Sequence, residues 1–137
     1  MLFDPKSSID FQGNTGPFIQ YTHARIAAIL RKAKKDGIDY STIDKNATLS
    51  EHEVSVIGIL NDFERKIKMA GDNYAPSVIA SYVYDLAKAF NRFYSELPIF
   101  RDVTPEEQKT RIALCSLVSK VLKNSLSMLG IEAPEKM

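Results

Sequence analysis

Gly13-Asn14-Thr15-Gly16-Pro17-Phe18-Ile19-Gln20-Tyr21-Thr22-His23-Ala24-Arg25 reads as a glycine-bounded turn that feeds a proline-started helix. Gly13, Asn14 and Gly16 tolerate positive φ, so the backbone can fold tightly there. Pro17 suits the first helical position, where its missing N–H costs nothing. At about 100° per residue, Ile19, His23, Ile26 and Leu30 form one stripe facing a core, with His23 expected to be packed and hydrogen-bonded. Phe18, Tyr21 and Arg25, at i, i+3 and i+7, share a second face with Lys32. Rings beside guanidinium and ammonium groups can stack on bases and pair with phosphates. Spacing alone equally allows Phe18 and Tyr21 to be ordinary core or rim aromatics.

Working outward, this first helix is expected from Gly16 to Lys35, where Arg31, Lys32, Lys34 and Lys35 crowd the end before Asp36-Gly37. Those cations complement the helix dipole and are also placed to meet phosphate. Residues 1–12 read as an extended lead-in, and 37–48 as a polar connection. Ser50 and Glu53 form a capping-box signature flanked by a Leu49–Val54 staple. Val56, Leu60, Phe63 and Ile67 continue at helical spacing, so one second helix is expected to run from there to Gly71.

Pro76 opens a third helix to about residue 97, with a seam of Ile79, Val83, Leu86, Phe90, Phe93 and Leu97. Its flank carries Tyr84, Lys88 and Asn91 at i, i+4 and i+7, bordered by Tyr94. Asn91 has the donor and acceptor that a base edge needs, and Tyr94 has a ring to stack. Thr104-Pro105-Glu106-Glu107 starts a fourth helix. Its seam is Leu114, Leu117, Val118, Val121, Leu122, Leu126 and Leu129, and Gly130 ends it. No strand and no internal repeat is visible. The expected architecture is all-α, a helical bundle of four or more helices forming one domain over residues 1–137.

Composition narrows the function classes. Hydrophobic residues make up 45% of the chain, enough for a real core. A net charge of +1 means that any basic footprint must be local. One cysteine, Cys115, and 2 histidines give neither a disulfide nor metal-ligand spacing. Cys115 lies in an apolar helical run and reads as a buried thiol in a reducing cytosol. No apolar run nears the roughly 20 residues that span a bilayer, and the N-terminus lacks a signal peptide's pattern. No nucleophile constellation or Walker-type loop is present, so no catalytic residue is assigned. The turn at 13–16 offers backbone N–H groups to an anion, but a plain helix entry explains it as well.

The opening stretch also matches a family pattern. Gly13 to Arg25 resembles the segment that opens the C-terminal, DALR-type anticodon-binding domain of the arginyl-tRNA synthetases, roughly G-x-T-[GA]-P-[YF]-x-Q-Y-x-x-x-R. Phe18 stands where tyrosine is frequent, which keeps the ring and removes a hydroxyl. The tail, Gly130 to Met137, is similar to the family's G-[IL]-x-x-P-E-[RK]-M ending, and Tyr82 to Ala87 and Arg111 to Leu114 are family-like too. Read alone, the tail would be a frayed end. Lys136 takes the place of the commoner arginine, losing the planar fork.

The resemblance implies a tRNA-reading fragment of a longer, class I enzyme. Its catalytic domain, with HIGH- and KMSK-type motifs absent here, would lie upstream and use ATP with Mg²⁺ to join arginine to tRNA. No cofactor is expected in this fragment. The implied partners are the tRNA(Arg) anticodon stem-loop and the enzyme's own catalytic domain, in a cytoplasmic monomer with no membrane contact. Phe18, Tyr21, Arg25, Lys32, Asn91, Tyr94 and Met137 would form the tRNA-binding set. The family sets aromatics of the Phe90 to Tyr94 region against an anticodon base and uses the terminal methionine in the same pocket, although spacing puts Phe90 on the core seam. The rival reading is a helical protein–protein docking or dimerisation module anchored by Tyr21, Tyr84 and Tyr94.

Overall fold

The computed structural model describes residues 15–41, 48–73 and 75–137. Five helices make up the regular structure there: α1 (Gly16–Lys35), α2 (Glu51–Asn61), α3 (Phe63–Asn73), α4 (Pro76–Glu96) and α5 (Pro105–Met128). The lead-in at 1–12, Gly13 and Asn14, and residues 42–47 of the polar connection lie outside the described residues. Among the described residues there is no strand, and no helix is long and apolar enough to cross a membrane.

The central element is α4, which packs against all four other helices, while α1 lies along α5. Ile79, Val83, Leu86, Phe90 and Phe93 are buried along α4, as their spacing requires, and Leu97 is half-buried. Val83, Leu86, Phe90 and Phe93 meet Ile19, Ile26 and Ala33 from α1, Val56 from α2, and Ile112, Val118, Leu122 and Leu126 from α5 in one core. On α5, Leu117 departs from the expected seam and is 50% exposed, whereas Arg111, Cys115 and Ser125 are buried. Burial pushes the Cys115 thiol up to about 12, so it stays protonated and unreactive.

Helix ends follow local chemistry. Ser50 and Thr104 each accept a backbone N–H from the glutamate at N3, and Glu53 and Glu107 return the bond to complete both capping boxes. Leu49 and Val54 remain exposed, so the staple buries little. Both α1 and α5 end in a glycine at positive φ, Gly37 at 68° and Gly130 at 74°. Ile38 N–H reaches Ala33 O at 3.0 Å and Gly37 N–H reaches Lys34 O at 3.1 Å; Ile131 N–H to Leu126 O and Gly130 N–H to Ser127 O repeat the pattern at 2.8 and 3.0 Å. These are paired Schellman closures, and each turns an isoleucine back onto the core. Gly16, by contrast, is helical and buried at the start of α1.

The single helix expected from Glu51 to Gly71 is two. Asp62 interrupts it at φ −89°, ψ −2°. Its N–H donates to Ile59 O at 3.1 Å, and the Tyr82 hydroxyl donates to the same carbonyl at 2.6 Å. That carbonyl would otherwise take the N–H of Phe63, so the regular ladder is broken there. The Asp62 carboxylate is gripped by Arg65 at 2.7 and 2.9 Å, a local bond that favours a cap over a helix interior. Gly71 is not the stop, because α3 continues to Asn73.

A buried ion pair ties α2 to α5. Arg111 and Glu53 are both almost fully buried, with Nε 3.8 Å from Oε1. Arg111 also donates to Pro98 O at 2.7 Å and to Glu107 Oε2 at 3.1 Å. It thereby fixes the α4–α5 connection, which turns through Asp102 at φ 52° and carries Phe100.

Candidate nucleic-acid interface

The two polar strips found separately on α1 and α4 come together in one line of direct side-chain contacts. Phe18 packs edge-on against Tyr84, with centroids 5.9 Å apart and planes at 69°. Phe18 is half-buried, so it closes one end of this line of contacts and does not offer the free ring expected of it. Lys88 lies 4.5 Å over the Tyr84 ring and 3.6 Å from Asp85, a solvated cluster beside that closure.

Arg25 occupies the middle. Its guanidinium carbon lies 5.1 Å from the Tyr21 centroid and 5.0 Å from that of Tyr94. Tyr21 is 49% exposed and Tyr94 40% exposed, so both rings keep surface available to a ligand. Tyr94 stacks on the fully buried Phe90 at 6.2 Å and 27°, which braces it from the core side. Phe90 is therefore a support for the ring and is itself out of reach. Arg25 donates to Asn91 Oδ1 at 2.7 Å and, over a long 3.4 Å, to the Tyr21 hydroxyl. The remaining guanidinium donors are uncommitted among the described residues.

Asn91 behaves differently from the base reader its chemistry suggests. Its Nδ2 donates to Thr22 Oγ1 at 2.9 Å and to Ala87 O at 2.8 Å, so both amide hydrogens are used inside the fold. Two turns further along α1, Lys32 lies 4.9 Å over Phe100 and pairs with Asp36 at 3.2 Å. Its charge is partly answered, while Lys34 and Lys35 remain exposed close by.

The tail is docked, not frayed. Gln20 donates to Glu132 O at 3.0 Å, His23 Nδ1 bonds Pro134 O at 2.8 Å, and Arg31 donates to Glu135 O at 3.0 Å. A carbonyl only accepts, so Nδ1 of the buried His23 carries a proton; Nε2 faces Ser119 Oγ at 3.4 Å. Three α1 residues thus hold three backbone carbonyls of the tail, and Ile131 and Ala133 pack on the core. Met137 lies at the end of this strap, 69% exposed.

Sequence reading missed Thr22, Phe100 and Gln20 as parts of this surface, and it gave Arg31 to phosphate without its bond to the tail carbonyl of Glu135. Periodicity could have placed Thr22 in the core stripe, but a hydroxyl's partner on another helix leaves no trace in spacing.

The family model described as the DALR anticodon binding domain matches residues 19–137. Arginine–tRNA ligases of Bacteroides fragilis and Bacteroides thetaiotaomicron are 47% and 48% identical to the chain over its whole length, and that of Porphyromonas gingivalis 39%. The chain spans 23% of the length of each of these relatives. Among solved structures, Thermus thermophilus arginyl-tRNA synthetase superposes with a TM-score of 0.80 at 32% identity, covering 98% of this chain and 23% of that one. A putative arginyl-tRNA synthetase from Campylobacter jejuni gives 0.74 at 28% identity, covering 88% and 26%. By its matched residues, its relatives and its all-helical architecture, the chain belongs to the DALR anticodon-binding domain family, as carried by arginine–tRNA ligases.

Proposed function

We propose that this domain receives the anticodon loop of tRNA(Arg) as the C-terminal part of an arginyl-tRNA synthetase. The observation that carries the reading is the Arg25 guanidinium flanked by two half-exposed tyrosines from different helices. Unstacked loop bases lie against Tyr21 and Tyr94, and Arg25 supplies charge and hydrogen-bond donors to the same nucleotides. Lys32 and the exposed Lys35 extend the positive field along the path of the backbone, and Met137 borders the loop from the docked tail.

The chemistry belongs to the catalytic domain of the longer protein, which uses ATP with Mg²⁺ to join arginine to the distant acceptor end. The reading carries a cytoplasmic monomer with it. A docking-module role is less well supported, because Tyr84, one of its three expected anchors, is engaged by Phe18 and Lys88.

The test is titration of the chain with a tRNA(Arg) anticodon stem-loop across a salt series. Binding that falls steeply with salt, and that is lost when the loop sequence is scrambled, supports the reading. Salt-insensitive self-association with no RNA binding sinks it.

A further inference from the structure

Behind Arg25 runs a chain of directed hydrogen bonds, and we propose that Asn91 and Thr22 are positioning residues that orient the Arg25 guanidinium toward hydrogen-bond acceptors of the RNA. The inference rests on the anticodon-loop reading above. Its starting point is direction. The Thr22 hydroxyl has one hydrogen and donates it to Phe18 O at 2.9 Å. Only its lone pairs then face α4, so Thr22 Oγ1 can accept from Asn91 Nδ2 at 2.9 Å but cannot donate to it. Ala87 O, at 2.8 Å from the same nitrogen, is likewise an acceptor. The amide therefore has one permitted orientation, with both hydrogens turned inward and Oδ1 presented to Arg25 Nη1 at 2.7 Å.

Each link has a reason to stay in place. Thr22 is fully buried, Ala87 is core, and Asn91 is half-buried between them. An amide reversed in this setting would set its oxygen against two acceptors and its nitrogen against a cation. The relay thus fixes the guanidinium's bearing from one edge, while Tyr21 and Tyr94 limit its tilt at 5.1 and 5.0 Å. An arginine held this way has already lost the rotamer freedom that a free one surrenders on binding. Asn91 itself, with both donors used, has little left with which to read a base.

The test is a double-mutant cycle on this chain, measuring anticodon stem-loop affinity and melting temperature for Asn91→Ala, Thr22→Val, Arg25→Ala and Arg25→Ala/Asn91→Ala. Asn91→Ala should weaken binding by about two- to twelve-fold, the share expected from releasing one long side chain. It should leave the salt slope as in the parent, since the charge remains. In the Arg25→Ala background the same substitution should cause no measurable loss. Thr22→Val, which keeps the buried shape, should move affinity in the same direction and covers the case in which Asn91→Ala does not fold. An equal loss from Asn91→Ala with and without Arg25 would overturn the relay and make Asn91 an RNA contact. Folded Asn91→Ala and Thr22→Val that bind like the parent would overturn it as well. Arg25→Ala binding like the parent would remove the RNA surface and the relay together, a result distinct from the other two.

Discussion

Truncating the two tyrosines separates an RNA surface from a structural rim. Tyr21 and Tyr94 are roughly half in solvent, and each meets the Arg25 guanidinium at about the same distance. A cation–π contact at an exposed site is worth about 0.5–1 kcal/mol, so Tyr21→Ala should lower the melting temperature by only a few degrees in a domain of this size. Stacking on a base is worth about 1–3 kcal/mol by alanine substitution, which corresponds to a roughly five- to 150-fold loss of affinity. The two scales differ enough to be told apart on one sample. Fluorescence anisotropy with a labelled anticodon stem-loop, paired with thermal melts, reads both. Tyr21→Phe should keep most of the affinity, because its hydroxyl makes only the long 3.4 Å contact with Arg25. Arg25→Ala should reduce affinity and also flatten the salt slope by about 0.7, the contribution of one phosphate on a single strand. The reasoning fails if Tyr21→Ala binding falls only in proportion to unfolded protein, or if folded Tyr21→Ala and Arg25→Ala bind like the parent.

Further outcomes follow from other parts of the fold. Arg111→Ala leaves Glu53 buried and unpaired and frees the Pro98 carbonyl, so chemical denaturation should show a loss of about 3–5 kcal/mol. A loss within 1 kcal/mol would mean that the pair is solvated. Deleting Lys136 and Met137 should weaken stem-loop binding with little change in melting temperature, because the strap's three carbonyl anchors end at Glu135; a large thermal shift without a binding effect would make the last two residues structural. Tyr82 and Cys115 are both raised to about 12 by burial, and the charge of Asp62 adds to the shift at Tyr82. Folded values above unfolded ones give stability that is full below about pH 9 and is lost as pH climbs toward about 12. Denaturation at a series of alkaline pH values should show that decline, and Tyr82→Phe with Cys115→Ala should flatten it. The chain alone should give no arginine-dependent ATP–pyrophosphate exchange with or without tRNA, and a positive signal would contradict the placement of the chemistry elsewhere.

The sequence by itself determined the elements and their limits wherever the deciding interaction is local. Gly16 to Lys35, Pro76 to Glu96 and the start at Thr104-Pro105 are set by proline, capping glutamates and glycine closures acting within a few residues, so spacing and turn chemistry suffice to read them. The strip of Phe18, Tyr21, Arg25 and Lys32, and that of Tyr84, Asn91 and Tyr94, were legible for the same reason, since helical period fixes which side chains share a face. What faces what was decided only by tertiary packing. At the break beside Asp62, the Tyr82 hydroxyl arrives from α4 onto the carbonyl of Ile59, 23 positions away in the chain. The assignment of Asn91 to Thr22 and Arg25, the burial of Arg111 against Glu53 and the tail's hold on Gln20, His23 and Arg31 are likewise contacts between distant segments. A side chain's chemistry announces what bonds it can make. Only the packed structure, by bringing one set of partners within reach and excluding water from the rest, decides which bonds it does make.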